Sequence, residues 1–127
     1  MEPARILVVE DNLMNMELAV DLLTLQGYKV LEAHTGQEAL EISNSQSLDL
    51  ILMDVQLPGM DGLTVTRKIR ENPRTKDIPI IALTAHAMKG DEERILQNGC
   101  TGYISKPIDT REFPKAVAKY IKKPKKG

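Results

Sequence analysis

Short apolar runs and longer helix-like stretches alternate along the chain, five of each. Arg5-Ile6-Leu7-Val8-Val9 is apolar almost throughout, the pattern of a strand covered on both faces. Asp11 and Asn12 follow with cap chemistry for a first helix whose apolar positions include Leu18, Leu22 and Leu25, and Gly27 ends it. Tyr28 to Ala33 reads as the second strand, and Thr35-Gly36 opens a second helix through Ala39, Leu40 and Ile42. Leu48 to Met53 is the third strand. Pro58-Gly59-Met60-Asp61-Gly62 is a loop by composition, and the helix after it runs through Val65 and Ile69. Ile78 to Leu83 reads as the fourth strand, Asp91 to Asn98 as a short helix closed by Gly99, and Gly102 to Ser105 as the fifth strand. Asp109 and Glu112 resemble a capping box for a last helix with Phe113, Val117, Tyr120 and Ile121 on one face. Pro114 leaves two readings open there: a helix that begins near Pro114, or a distorted first turn.

This alternation predicts an α/β fold, a five-stranded parallel sheet with helices on both faces and right-handed crossovers. In such sheets the reactive groups gather where the strand C-termini meet the loops. A length of 127 residues fits one domain, and no apolar run is long enough to cross a bilayer. Met1 to Arg5 runs straight into a strand with no secretory pattern, so a cytoplasmic location is expected. Cys100 is the only cysteine and the histidines are His34 and His86, so haem, iron–sulfur and structural zinc are excluded. A metal here would be a hard cation held by oxygens. Cys100 is expected to be a small buried residue, and Met14 and Met88 to be partner-surface candidates.

Charge is distributed unevenly. Residues 1–66 carry eleven acids and two bases, residues 67–127 seven acids and fifteen bases. Four of those bases stand in Lys122-Lys123-Pro124-Lys125-Lys126, which has no aromatic residue. We read 122–127 as a solvated basic tail, disordered and without direct DNA binding, and 1–121 as the domain.

The expected strand ends carry Glu10-Asp11, Asp54, Thr84 and Lys106-Pro107. Three carboxylates at one sheet edge repel one another and call for a cation, and an open oxygen-ligand set suits Mg²⁺. Lys106 would balance part of the charge, and Thr84 and loop N–H groups could donate to an anion. Phosphoryl transfer follows, with Asp54 as nucleophile at the end of the central strand. Asp11 would hold the metal with Asp54 and a loop carbonyl, and Glu10 would act directly or through water. A flavodoxin-like electron carrier needs a hydroxyl-rich loop where this chain has Glu10-Asp11-Asn12. A dehalogenase-type phosphatase needs a second aspartate, where Val9 and Asn12 stand. No Gly-rich Lys-Ser/Thr loop is present.

Val8-Val9-Glu10-Asp11-Asn12, the stretch Leu52 to Gly62, Leu83-Thr84-Ala85 and Tyr103-Ile104-Ser105-Lys106-Pro107 closely resemble the receiver domains of two-component response regulators. The resemblance covers residues 4 to 121. Met88 to Arg94 and Gly99-Cys100 resemble the single-domain, DivK-like type in particular. It implies a CheY-like, flavodoxin-like receiver with strand order 2-1-3-4-5. It also implies that Asp54 is phosphorylated from a histidine kinase or histidine phosphotransfer protein, with Mg²⁺ among Glu10, Asp11, Asp54 and the Gln56 carbonyl. Thr84 and Lys106 would contact the phosphoryl group, Thr84 and Tyr103 would form a switch pair, and the Lys106–Pro107 peptide would be cis. Gln56 and His86 would tune the lifetime of the aspartyl phosphate. A downstream protein would bind the face of the fourth helix, fifth strand and last helix. The protein would catalyse its own phosphorylation and slow dephosphorylation without being a turnover enzyme. The alternatives are a receiver domain cut from a hybrid histidine kinase and a flavodoxin-like binding module.

Overall fold

Five parallel strands, β1 (Arg5–Val9), β2 (Lys29–Ala33), β3 (Leu50–Asp54), β4 (Ile80–Thr84) and β5 (Gly102–Ser105), stand in the order β2-β1-β3-β4-β5. This computed structural model describes residues 2–85 and 89–121. Between and after the strands run α1 (Leu13–Leu25), α2 (Gly36–Ser45), α3 (Gly62–Glu71), α4 (Lys89–Gln97) and α5 (Glu112–Tyr120). Order and fold class agree with the sequence reading.

The period-2 geometry of a strand divides the core in two. Leu7, Val9, Ile51, Met53, Ile80 and Ala82 point to one face, where they meet Ala39, Val65, Ile69 and Ile95 of α2, α3 and α4. Ile6, Val8, Leu50, Leu52, Ile81 and Leu83 point to the other, against Met16, Ala19 and Leu23 of α1 and Phe113 and Val117 of α5. Every residue of β3 and β4 is buried, which explains why those strands read as continuous apolar runs.

The helix starts follow local capping chemistry. Asn12, Thr35 and Asp61 each accept from the backbone N–H three residues on, at 2.9, 3.1 and 2.9 Å, opening α1, α2 and α3. Gly62 begins α3 directly against β3: a Cβ there would lie 2.1 Å from the Asp54 carbonyl oxygen. Only glycine lets the helix come so near the last peptide of that strand.

Three sequence expectations shift. The third and fourth strands begin at Leu50 and Ile80, not Leu48 and Ile78, and end at Asp54 and Thr84, the residues expected at the strand ends. Leu48 and Ile78 are apolar because they pack against the core from the preceding loops. Asp54 and Thr84 are polar yet paired, with Leu83 and Ser105. Hydrophobicity reports burial; the ladder is set by backbone pairing. In α1 the buried stripe is Met16, Ala19 and Leu23; Leu18 and Leu22 pack beside it, partly buried, while Leu25 is 81% exposed and lies off the stripe.

The start of α5 resolves the two readings of Pro114. Asp109 Oδ1 accepts from the N–H of Arg111 and Glu112 at 2.8 and 3.0 Å, and its carbonyl accepts from Phe113 N at 2.9 Å. The first turn is therefore formed and capped, and Arg111 is already helical at φ −88, ψ −42. Proline has no N–H to offer the Thr110 carbonyl, so the regular ladder registers only from Glu112.

Phe113 is the largest fully buried side chain, 1% exposed, and fastens α5 to the sheet. Phe113→Ala is expected to cost about 3–5 kcal/mol, and Asp109→Ala about 1 kcal/mol, both read from urea denaturation. A loss below 1 kcal/mol for Phe113→Ala would show that α5 contributes little to the core.

Candidate functional site

Parallel pairing brings the chemistry to one edge. Val9 is in register with Met53, Asp54 with Leu83 and Thr84 with Ser105. The residues that follow or end these strands, Glu10, Asp11, Asp54, Thr84 and Lys106, therefore share the C-terminal rim of the sheet. One carboxylate oxygen from each of Glu10, Asp11 and Asp54 lies within 4.8 Å of the others. Glu10 and Asp54 are buried, 1% and 3% exposed, whereas Asp11 opens to solvent. Lys106 reaches across from the end of β5 and places Nζ 3.0 Å from Glu10 Oε1 and 3.2 Å from Asp54 Oδ2.

Backbone donors orient the carboxylates. Asn12 N–H donates to Glu10 Oε2 at 3.2 Å, and Gln56 N–H donates to Asp54 Oδ1 at 3.0 Å. Each is a short-range turn in which a carboxylate accepts from the residue two positions on. Glu10 Oε1 is fully buried, and the Lys106 ammonium stands beside it at 3.0 Å. Burial, together with the hydrogen bond and charge of Glu10, pushes the Asp54 carboxyl up to about 7, against the Gln56 N–H and Lys106. For Lys106, burial works against the charged form, but Glu10 and Asp54 outweigh it and the ammonium is held above its ordinary range. Three carboxylates beside one ammonium leave a buried surplus of negative charge. That surplus and an all-oxygen donor set fit a small hard divalent cation such as Mg²⁺.

The other predicted residues surround this centre. Thr84 is buried at the end of β4, and its carbonyl accepts from Lys106 N at 2.8 Å. Gln56 is exposed at the start of the β3–α3 loop. Tyr103 lies half-buried on β5, and the Glu92 carboxylate of α4 is the main influence raising its phenol. The Lys106–Pro107 peptide is cis, as expected. His86, Met88 and the basic tail lie outside the described residues. Cys100 is buried, as expected, and Met14 is 79% exposed on α1.

A cleft of about 450 Å³ adjoins the site, lined by Gln56, Thr84, Asp61, Asp91 and Arg94 among others. A larger one, about 830 Å³, lies at the opposite end of the sheet beside Leu48, Ile78 and Tyr120, away from every group just described. Size therefore does not mark the chemistry; the convergence of charge does. Two site residues escaped the sequence reading. Asn12 was expected only as a cap, yet its backbone also fixes Glu10, and an asparagine two residues after a carboxylate was the available signal. Gly62 is needed at the Asp54 carbonyl, and nothing in its loop composition singles it out.

Residues 6–118 match the response regulator receiver domain family, and the chain belongs to it: this is a receiver domain of two-component signalling. It is DivK-like, 46% identical over 119 residues to the polar-differentiation response regulator DivK of Brucella anthropi, covering 94% of this chain and 97% of that one. Among solved structures it is similar to the receiver domain of sensor histidine kinase PA1611 from Pseudomonas aeruginosa, which has a magnesium ion coordinated in its active-site cleft. That match has a TM-score of 0.86 and 39% identity, covering 94% of this chain and 98% of that one. It is also similar, with a TM-score of 0.88 and 28% identity over 94% and 90% of the two chains, to a match from the co-crystal structure of the Saccharomyces cerevisiae phosphotransfer protein Ypd1 with the receiver domain of Ssk1. Among the described residues no helix is long and apolar enough to cross a membrane.

A raised carboxyl pKa has a defined effect on stability. An unfolded Asp54 releases its proton near pH 4 and the folded one near pH 7, so the folded state binds more protons between those values. The stability this group contributes is full below pH 4 and is lost as pH rises through 7. Without divalent metal, the melting temperature is expected to fall between about pH 4 and 7 more steeply than in Asp54→Asn. Identical slopes in calorimetric melts of the two proteins would remove Asp54 as the cause.

Proposed function

We propose that Asp54 is the phosphoacceptor, taking phosphate from the phosphohistidine of a histidine kinase or histidine phosphotransfer protein. One observation carries this: a buried carboxylate at the end of the central strand has a lysine ammonium 3.2 Å away and two further carboxylates around it. An Asp54 carboxylate oxygen attacks phosphorus in line; the bond from phosphorus to the imidazole nitrogen breaks, and an acyl phosphate forms. Lys106 holds Asp54 in place and pairs with the incoming phosphoryl charge, and Thr84 donates its hydroxyl to a phosphoryl oxygen. Glu10, Asp11, Asp54 and the Gln56 carbonyl would hold Mg²⁺, which when bound supplies the positive charge that offsets three carboxylates and a phosphoryl group. The magnesium in the related receiver of PA1611 and the convergence of the three carboxylates support this assignment.

The output is a shift in a two-state element. Thr84 moves toward the phosphoryl group and Tyr103 turns inward, remodelling the face of α4, β5 and α5 on which a downstream protein binds. The similarity to a receiver solved with its phosphotransfer protein supports a proteinaceous donor. We read 1–121 as the domain and 122–127 as a basic tail beyond it, with a cytoplasmic location. The chain acts as a phosphorylated relay and not as a turnover enzyme. The likeness to a kinase-attached receiver favours one second reading, in which the same chemistry serves within a longer hybrid kinase.

Asp54→Asn is expected to abolish acid-labile labelling by a phosphohistidine donor and by acetyl phosphate; labelling at the wild-type rate would refute the assignment. Asp11→Ala is expected to weaken Mg²⁺ binding at least about tenfold without unfolding the domain, measured by titration calorimetry.

Lifetime provides a separate test. Gln56 can orient the hydrolytic water through its amide, and His86, flanking the mouth of the site, would partly block that water. Gln56→Ala is expected to slow the loss of labelled phosphate at saturating Mg²⁺, and His86→Ala to speed it. Slower loss in His86→Ala would show that the imidazole assists the water.

A further inference from the structure

The C-terminal end of α4 is fastened to α3 by two arginines. Arg70 Nε donates to the Gly99 carbonyl at 2.8 Å, and its Nη1 donates to the carbonyls of Ile78 at 2.7 Å and Lys76 at 2.9 Å. One guanidinium thus joins three segments: α3, the residue that closes α4, and the stretch leading into β4. Its rigid planar fork suits this task, since the acceptors are reached from two separated nitrogens, Nε and Nη1, where a lysine would offer all its donors from one. Gly99 turns the chain with φ +106, and a Cβ there would lie 2.9 Å from Arg70 Cγ, so the contact also depends on glycine. Arg67 Nη1 donates to Asn98 Oδ1, and Asn98 Nδ2 donates back to the Arg94 carbonyl at 2.7 Å. Ile95 and Cys100, 1% and 6% exposed, sink into the core on the same side, with Cys100 Sγ 3.9 Å from Thr66 Oγ1.

The opposite end of α4 has different neighbours. The helix starts at Lys89, shortly after Thr84, and its first turn carries Asp91 and Glu92. Asp91 pairs within the helix with Arg94 at 3.7 Å, and the Glu92 carboxylate faces the Tyr103 phenol. The N-terminal turn therefore borders Thr84 through the chain and Tyr103 through space. Hydrogen bonds from a charged donor, backed by buried apolar contacts, are costly to break, so a displacement imposed near Thr84 is absorbed before it reaches the C-terminal end.

We infer that Arg70 is a positioning residue that makes the C-terminal end of α4 the fixed pivot of the switch. Phosphorylation then displaces the N-terminal turn of α4 and leaves residues 97–101 in place. This rests on the reading of Asp54 as phosphoacceptor and of Thr84 and Tyr103 as its switch pair.

Hydrogen exchange of the full chain, with Mg²⁺ and with or without beryllofluoride as the phosphoryl probe, tests the pivot. In the wild type, backbone exchange over 89–93 is expected to change about tenfold between the two states, and exchange over 97–101 by less than about twofold. In Arg70→Met, which keeps an apolar stem and loses every donor, exchange over 97–101 is expected to become state-dependent. Because the readout is the difference between states, general loosening by the substitution does not mimic it. If Arg70→Met fails to fold, Arg70→Lys, whose donors all sit on one nitrogen in place of the fork, is expected to show the same state dependence to a smaller degree. Equal changes over 89–93 and 97–101 in the wild type would overturn the pivot, as would a state-independent 97–101 segment in the folded Arg70 variant. A wild type that responds to beryllofluoride nowhere, including 52–58, would instead refute the phosphoacceptor reading and the pivot with it.

Discussion

One ammonium group shared between two buried carboxylates holds this site together. Lys106 lies within 3.2 Å of both Glu10 and Asp54, groups that belong to different strands and would otherwise repel in a poorly solvated setting. Its charge is worth more there than at the surface because little water screens it. Yet a single ammonium against three carboxylates leaves the balance incomplete, and Asp54 responds by holding its proton up to about pH 7. On its own residues the site is thus short of positive charge. That shortage is the physical basis of its fitness for a divalent cation and, with one bound, for a phosphoryl group.

The scaffold delivers these groups through backbone geometry. Parallel strands end together, and the register of β1, β3, β4 and β5 sets how far each terminal side chain reaches. Gly62 lets α3 start against the Asp54 carbonyl, and the N–H groups of Asn12 and Gln56 aim the two buried carboxylates. In this placement each of the three acts through its backbone. Their contribution is to place a backbone atom where a side chain must be oriented.

That distinction explains what the sequence reveals. Continuous apolar runs mark β1, β3 and β4 because those strands are covered on both sides, and Glu10, Asp11, Asp54 and Lys106 stand out as charge at their ends. The strand starts at Leu50 and Ile80 were hidden because Leu48 and Ile78 are apolar for packing against the core from the loops before them. Leu25 misled for the converse reason: an exposed leucine at helical spacing looks like a core residue until the phase of α1 is known. Arg70 reads as one more surface base among Arg67 and Lys68, since the three carbonyls it serves are backbone groups and carry no side-chain signature.

The division of the core by the sheet has a consequence for how such a protein can change over time. Side chains of α1 and α5 meet one another and one face of the strands; those of α2, α3 and α4 meet the other. A substitution on one side is felt on the other only through strand backbone, which is stiff, so the two layers can drift almost independently. The reactive rim belongs to neither layer, because it is built from strand ends. New partners can therefore be acquired on either flank by changing helices alone, while the chemistry at the edge is inherited intact.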